Sequence, residues 1–204
     1  MGYYPIVMDL TGKKCLVVGG GDVALRKVLS LTEAGAEVTV ISPKLVPEIE
    51  NASGVRIDKR CWAPGDTAGF VLVFAATDDR SVNHAISDEA KHAAIPVNVV
   101  DDPELCSFIV PASVKRGDLL ISVTTGGKSP LLSKRIRREL EATYGPAYAQ
   151  FVDLLGELRE TVKEKHPSSK GREAVFSKLI DCGILELLSL GETEQARKKA
   201  LECI

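Results

Sequence analysis

Cys15-Leu16-Val17-Val18-Gly19-Gly20-Gly21-Asp22-Val23-Ala24 is the stretch that decides the fold of this chain. A short apolar run closed by a turn signal reads as a buried strand, and Cys15 to Val18 is such a run. Three glycines end it, after which Ala24, Val28 and Leu31 recur on one helical face. Strand, glycine turn and helix in that order fit the pattern G-x-G-x-x-A from Gly19 to Ala24. The first glycine allows the tight turn, Gly21 lets the backbone approach a pyrophosphate, and Ala24 lets helix and strand pack closely. The helix N-terminus adds unpaired N–H groups and the positive end of a dipole, both suited to phosphate. Dinucleotide binding is therefore expected at Gly19, Gly20 and Gly21, in preference to a tight turn with no ligand.

Outward from that stretch the same rhythm repeats. Glu37 to Ile41 predicts a second strand, Val55 to Asp58 a shorter third, Phe70 to Ala75 a fourth and Pro96 to Val100 a fifth. A helix is expected from Ser81 to Ala93 with Val82, Ala85, Ile86 and Ala90 inward. Strands alternating with helices imply an α/β fold, a Rossmann-type parallel sheet covered on both faces. After Val100 the rhythm changes. Ser107-Phe108-Ile109-Val110 leads to Pro111, Asp118 to Val123 predicts one more strand, and Gly126-Gly127 breaks it before a helix from Pro130 to Ala142. Gly145-Pro146 ends that helix. Phe151, Leu154, Leu155, Leu158 and Val162, then Val175, Phe176, Leu179 and Ile180, keep helical spacing, and Gly191 divides the last twenty residues. The expected parts are 1–112, 113–145 and 146–204, the last all helical, with no internal repeat and no low-complexity linker.

Composition excludes several classes. Apolar residues at 45% with 26% charged are the mix of a globular protein that stays in water, and a formal charge of −2 argues against non-specific nucleic-acid binding. The five cysteines (15, 61, 106, 182 and 203) are odd in number and form no Cys-x-x-Cys pair, so neither a zinc signature nor a disulfide framework is expected. His84, His92 and His166 have no metal-ligand spacing, and no metal site is expected. Met1 to Pro5 lacks the basic stretch and long apolar run of a secretory leader, and no window approaches the ~18 apolar residues of a membrane helix. A soluble, reduced, cytoplasmic protein is the expectation, with no nucleic-acid and no membrane partner.

Ligands of such a sheet lie at the C-terminal ends of its strands. At the end of the second strand an NAD site commonly carries Asp or Glu for the ribose hydroxyls; here Ser42-Pro43-Lys44 stands instead. Ser42 can bond a ribose hydroxyl, and Lys44 can attract the extra phosphate of NADP or remain a solvated loop lysine, so spacing leaves the choice open. Thr77, closing the fourth strand, is a candidate cofactor contact, and Asp79 reads equally well as a helix cap. Asp101 and Asp102 follow the fifth strand, where a carboxylate can act as general base or simply serve the turn before Pro103. Between 113 and 138 lie seven Lys or Arg and one Asp. That stripe is either a solvated helix face or a surface for a polyanion, and Gly126-Gly127-Lys128-Ser129 beside it can bring backbone N–H groups to an anion.

Val17 to Ala24, Ala75-Ala76-Thr77-Asp78-Asp79, Asn98-Val99-Val100-Asp101, Ser107 to Ala112 and Thr125-Gly126-Gly127-Lys128-Ser129-Pro130 occur in this order. Together they resemble the precorrin-2 dehydrogenase module of siroheme synthases, from Pro5 to about Leu140, with the remainder fitting as a helical appendage. The resemblance implies NAD-dependent oxidation of precorrin-2 to sirohydrochlorin on the way to siroheme. It also implies a homodimer in which 113–145 serves dimerisation and the substrate cleft. The family's functional aspartate maps onto Asp101 and its cofactor contacts onto Asp22, Val23, Pro43 and Lys44, which favours NAD over NADP. Asn98, Ser107, Gly126, Gly127 and Lys128, with Arg135 and Arg138 from the basic stripe, are the candidate contacts to a tetrapyrrole rich in carboxylates. Thr125 stands where some relatives carry a phosphorylatable serine. Two alternatives accompany this reading: a bifunctional enzyme that also inserts ferrous iron, and a dinucleotide-sensing module whose helical tail binds a protein, which no recognisable output domain supports.

Overall fold

Five strands form one all-parallel sheet: β1 (Lys14–Val18), β2 (Glu37–Ile41), β3 (Arg56–Asp58), β4 (Leu72–Ala75) and β5 (Val97–Val99), in the order β3-β2-β1-β4-β5. The structure is a computed structural model that describes residues 2–204; Met1, where the reading of the N-terminus begins, lies outside the described residues. The chain divides between Val110 and Pro111 into two compact units.

Side chains of the sheet alternate between two apolar layers, as the two-residue period of a strand requires. Cys15, Val17, Val38, Val40, Leu72 and Phe74 face one layer, closed by Ala24, Val28 and Leu31 of α1 (Asp22–Glu33) and by Ile49 of α2 (Pro47–Glu50). Leu16, Val18, Ile41, Val73, Ala75, Val97 and Val99 face the other, closed by Ile86 and Ala90 of α3 (Arg80–His92). Burial on both faces explains why the strands read as unbroken apolar runs. Each Val, Leu or Ile so buried contributes roughly 1.5–3 kcal/mol.

Ala85 departs from expectation: it is exposed, and Asn83 and Ser87 are buried in the same helix instead. Both polar side chains have fixed partners, Asn83 around Thr77 and Ser87 Oγ donating to the Leu105 carbonyl at 2.8 Å, so their burial leaves no group unsatisfied.

The second unit opens with an antiparallel hairpin, β6 (Ala112–Arg116) and β7 (Leu119–Val123), turned at Gly117-Asp118 with Gly117 at φ 57°. Asp118 thus belongs to the turn rather than to a strand. β6 has no counterpart in the sequence reading, because only Val114 of its five residues is buried. Helices α4 (Pro130–Thr143), α5 (Ala147–Glu157), α6 (Arg159–Lys165), α7 (Ser169–Asp181), α8 (Ile184–Ser189) and α9 (Thr193–Glu202) come after it. Phe151, Leu154, Leu158, Val162, Val175, Leu179, Ile184, Leu188, Ala196 and Ala200 form one core that draws on α5 to α9, while Ile180 is exposed. No described helix is long and apolar enough to cross a membrane.

Candidate functional site

The chain runs outward from β1 through β2 to β3, then crosses back to β4 and β5. The direction reverses between β1 and β4, and loops diverge there, leaving the crevice in which doubly wound folds bind ligands. Val18 pairs with Ile41 on one side and Ala75 on the other, so Gly19, Ser42 and Ala76 leave the sheet at one level.

The three glycines divide the work. Gly19 has φ 125°, and a Cβ there would lie 2.2 Å from the Ala76 carbonyl oxygen. At Gly20 a Cβ would lie 2.0 Å from the Lys44 carbonyl oxygen, and the Gly20 carbonyl accepts from the Val46 amide at 2.8 Å. These two let the loops after β2 and β4 close on the turn. Gly21 is different: it is the N-cap of α1 and a Cβ there meets nothing within 4 Å. Its open side is the cleft.

That cleft holds about 730 Å³, within the usual range for a small-molecule site. It brings together Gly19, Gly20, Gly21, Asp22, Val23, Ser42, Pro43, Lys44 and Thr77 along its walls. The Ser42 hydroxyl is buried and donates to the Lys44 carbonyl at 2.6 Å, so toward a ligand it remains an acceptor. The Thr77 hydroxyl lies 2.8 Å from Asn83 Oδ1 and 3.0 Å from the Asp79 carbonyl. Asp79 caps α3: its carboxylate accepts from the Ser81 hydroxyl and amide and the Val82 amide, which hold its pKa below the usual carboxylate range. Of the two readings of Asp79, the cap is the one realised.

Cys61 and Trp62 also line the cleft, and sequence reasoning missed them. They come from an irregular loop with no periodicity to mark it. The available signal was a lone tryptophan just beyond a strand on the ligand edge of the sheet.

Asp101 comes directly after β5. It adopts φ 60°, a left-handed conformation uncommon outside glycine, and its carboxylate is exposed with no hydrogen bond or ion pair among the described residues. Asp102 is engaged: its Oδ2 accepts from Arg80 at 3.1 Å, and its backbone carbonyl accepts from the Leu105 amide. Asn98 and Ser107 bind backbone. Asn98 Nδ2 donates to the Phe108 carbonyl at 3.0 Å, and Ser107 Oγ accepts from the Val97 amide at 2.8 Å. Beside them the Cys106 thiol accepts from the Val99 amide at 3.1 Å, and burial pushes its pKa up.

In the second unit the paired glycines have φ 63° (Gly126) and 82° (Gly127). The amides of Gly126, Lys128 and Ser129 donate internally, and Ser129 caps α4 by accepting from the Leu132 amide. The Thr125 hydroxyl accepts from the Ser129 amide at 2.9 Å. The basic stripe splits in two. Arg116 donates to the Tyr144 and Glu141 carbonyls at the end of α4, and Arg137 pairs with Glu141. Lys134, Arg135 and Arg138 instead line a shallow groove along α4 with Leu131, Glu139 and Ala142. Arg135 also pairs with Glu139 at 3.1 Å, both largely exposed. Among the described residues no group of three or more His, Cys, Asp or Glu could hold a metal ion.

A strand, glycine turn and helix at the crevice of a β3-β2-β1-β4-β5 sheet match a known family over residues 6–112, described as putative NAD(P)-binding. The chain belongs to this NAD(P)-binding family. The second unit matches more specific families: residues 116–143 fit the description sirohaem biosynthesis protein central, and 147–203 the sirohaem synthase dimerisation region. The chain is 38% identical over 205 residues to a siroheme synthase of Methylococcus capsulatus, covering 99% of this chain and 43% of the relative. It is 43% identical over 196 residues to one of Methylobacillus flagellatus, covering 95% of this chain and 42% of the relative. The chain thus spans less than half the length of the siroheme synthases it matches. Among solved structures it resembles one described as SirC, precorrin-2 dehydrogenase, with TM-score 0.74 and 28% identity over 98% of this chain and all of that one. The resemblance drawn from the five motifs agrees with these matches, and the α/β architecture with a helical C-terminal part agrees with that neighbour.

Proposed function

We propose that this NAD(P)-binding chain catalyses NAD-dependent oxidation of precorrin-2 to sirohydrochlorin. The observation that carries the reading is the cleft at the crossover point, walled by the glycine turn and the ends of β2 and β4. The adjoining sirohaem-specific regions support the substrate class. The oxidation removes one hydride and one proton from the tetrapyrrole. A bound nicotinamide supplies the hydride acceptor, and the protein supplies contact and a path for the proton. The N-terminus of α1 binds the pyrophosphate, Ser42 accepts from a ribose hydroxyl, and Thr77 borders the nicotinamide half. Asp101, unpaired at the end of β5, accepts the proton or orients the ring through its pyrrole N–H groups. Asn98 and Ser107 serve the substrate by holding the segment after Asp101 in place.

Purified protein mixed with NAD and precorrin-2, without metal, should produce reduced nicotinamide and sirohydrochlorin in equal amounts. Absence of both absorbance changes in a protein that binds NAD would refute the reading.

NAD is the preferred cofactor by a several-fold margin in kcat/KM rather than by orders of magnitude. Lys44 is the one cation among the residues along the cleft, against Asp22, Asp78 and Asp79, while Ser42 offers only a neutral hydrogen bond. Faster turnover with NADP at equal concentration overturns this preference.

The substrate's carboxylates are assigned to Lys128, Arg135 and Arg138, near the Gly126-Gly127 turn. Reversing charge at Arg135 and Arg138 should raise the apparent KM for the tetrapyrrole and weaken its salt dependence, leaving NAD affinity unchanged. The exposed Arg135–Glu139 pair is worth at most about 1 kcal/mol, so stability should hold. An unchanged KM would return both residues to a solvated face. We assign 113–145 to dimerisation and the substrate cleft and 146–204 to a helical domain that, given its match to the sirohaem synthase dimerisation region over 147–203, shares in dimerisation, in a homodimer. Support comes from exposed Leu120, Leu131 and Leu132 beside the hairpin, apolar surface that a second copy would cover.

A further inference from the structure

Trp62 is the only tryptophan of the chain, and it sits on the wall of the dinucleotide cleft. It rises from the loop after β3, on the same side of the glycine turn as the end of β2. One edge of the residue packs on the apolar layer that includes Val18, Ile41 and Ile86, with Val82 alongside.

The loop that carries it has no regular structure, yet it is pinned at several points. Arg60 forks onto Asp66 with bonds of 2.6 and 2.8 Å, and Asp66 also accepts from the Ala63 amide at 2.8 Å. Glu89 of α3 reaches over to accept from the Gly65 amide at 2.7 Å, the Thr67 amide at 3.0 Å and the Thr67 hydroxyl. Arg60 holds the Asp66 carboxyl below the usual range; burial pushes the Glu89 carboxyl up, but its Thr67 and Gly65 hydrogen bonds outweigh that and lower it. Such anchoring fixes the backbone on both sides of the indole. The ring itself is held by packing alone: its Nε1 is buried without a hydrogen-bond partner, the one such side-chain nitrogen or oxygen among the described residues. Turning the ring therefore breaks no hydrogen bond.

We propose that Trp62 is the wall on which the adenine of the dinucleotide stacks, and so a residue that contributes affinity for the adenosine half of the cofactor. This rests on the dinucleotide reading above. In this fold the end of β2 meets the adenosine ribose, and β3 lies beyond β2, away from β4 and β5 where the nicotinamide and Asp101 belong. A flat aromatic face beside small residues and backbone suits a flat heteroaromatic ring, and base–aromatic stacking is sequence-tolerant and strong.

The test uses the full chain, the emission of its single tryptophan and calorimetry in parallel. NAD and ADP-ribose should each alter the emission to the same extent. Trp62→Ala should raise the dissociation constants of both by about tenfold, and Trp62→Phe by about threefold or less, in line with stacking. Circular dichroism checks that both variants are folded. An emission change with NAD but none with ADP-ribose moves Trp62 to the nicotinamide end and overturns the assignment. So do unchanged dissociation constants in folded Trp62→Ala. Calorimetry that detects neither nucleotide in the wild-type chain instead overturns dinucleotide binding, and the stacking wall with it.

Discussion

Asp101→Asn should lower kcat for precorrin-2 oxidation by roughly 10²–10⁴, the usual worth of a general base, with little change in NAD affinity. The substitution keeps size and part of the hydrogen-bonding capacity but removes basicity. If the carboxylate orients the ring instead of taking the proton, Asn should retain more activity than Ala. The left-handed backbone at φ 60° adds a way to separate chemistry from folding. Ala there should leave stability close to that of wild type, because the Asp101 carboxylate makes no local hydrogen bond to offset the strain that its own Cβ already meets in this region. Gly relieves the same strain, so Asp101→Gly should be at least as stable as wild type and still be slow. Asp102→Asn is the internal control, since its partner Arg80 is 81% exposed and such pairs contribute little. Single-turnover oxidation tracked by absorbance decides. Wild-type rates in Asp101→Asn, or a larger loss in Asp102→Asn, put the chemistry on another residue.

Gly21→Asp should abolish dinucleotide binding while the fold stays intact. No atom lies within 4 Å of a Cβ at this position, and the residue is the N-cap of α1, where Asp is among the preferred residues. Its carboxylate would then take the amides that phosphate needs and repel the pyrophosphate as well. Gly19→Ala and Gly20→Ala make the contrast. Their methyl groups would meet backbone carbonyl oxygens at 2.2 and 2.0 Å, so both should lose stability as well as binding. Thermal melts alongside calorimetric titration with NAD separate the two behaviours. Unchanged affinity in a folded Gly21→Asp protein removes the pyrophosphate from the turn.

The features legible in the sequence were local. Cys15 to Ala24 carries strand, turn and helix within ten residues, and each part needs only its neighbours in sequence to be recognised. The residues of the cleft from Ser42 to Lys44 and at Thr77 were reachable because they end strands, and strand ends meet at one edge. Trp62 was not, because its place depends on Glu89 and Asp66 pinning a loop that has no period. Ala85 was misplaced for a related reason. Apolarity alone selects it for burial, whereas Asn83 and Ser87 are buried because Thr77 and the Leu105 carbonyl satisfy them. Asn98 and Ser107 stood out as motif residues, but that they bond the backbone around β5 depends on where the chain returns after Asp101.

That return has a consequence for solubility. A sheet of this kind ends in two strands whose outer backbone groups invite another chain to add itself. On the β5 side the Ser107 amide donates to the Val97 carbonyl at 2.8 Å, and Asn98, Cys106 and Ser107 side chains occupy further backbone groups. On the β3 side the strand is three residues long and carries Arg56 and Asp58, a poor template. The sheet is thereby closed to growth in both directions. Among the described residues β6 and β7 pair only with each other, and the side-chain cover on their backbone is slight, a bond from Arg116 to the Lys115 carbonyl at 3.0 Å. The large sheet is guarded at both edges and the small hairpin is not, which fits the proposed homodimer if its copies meet at the hairpin rather than at the large sheet.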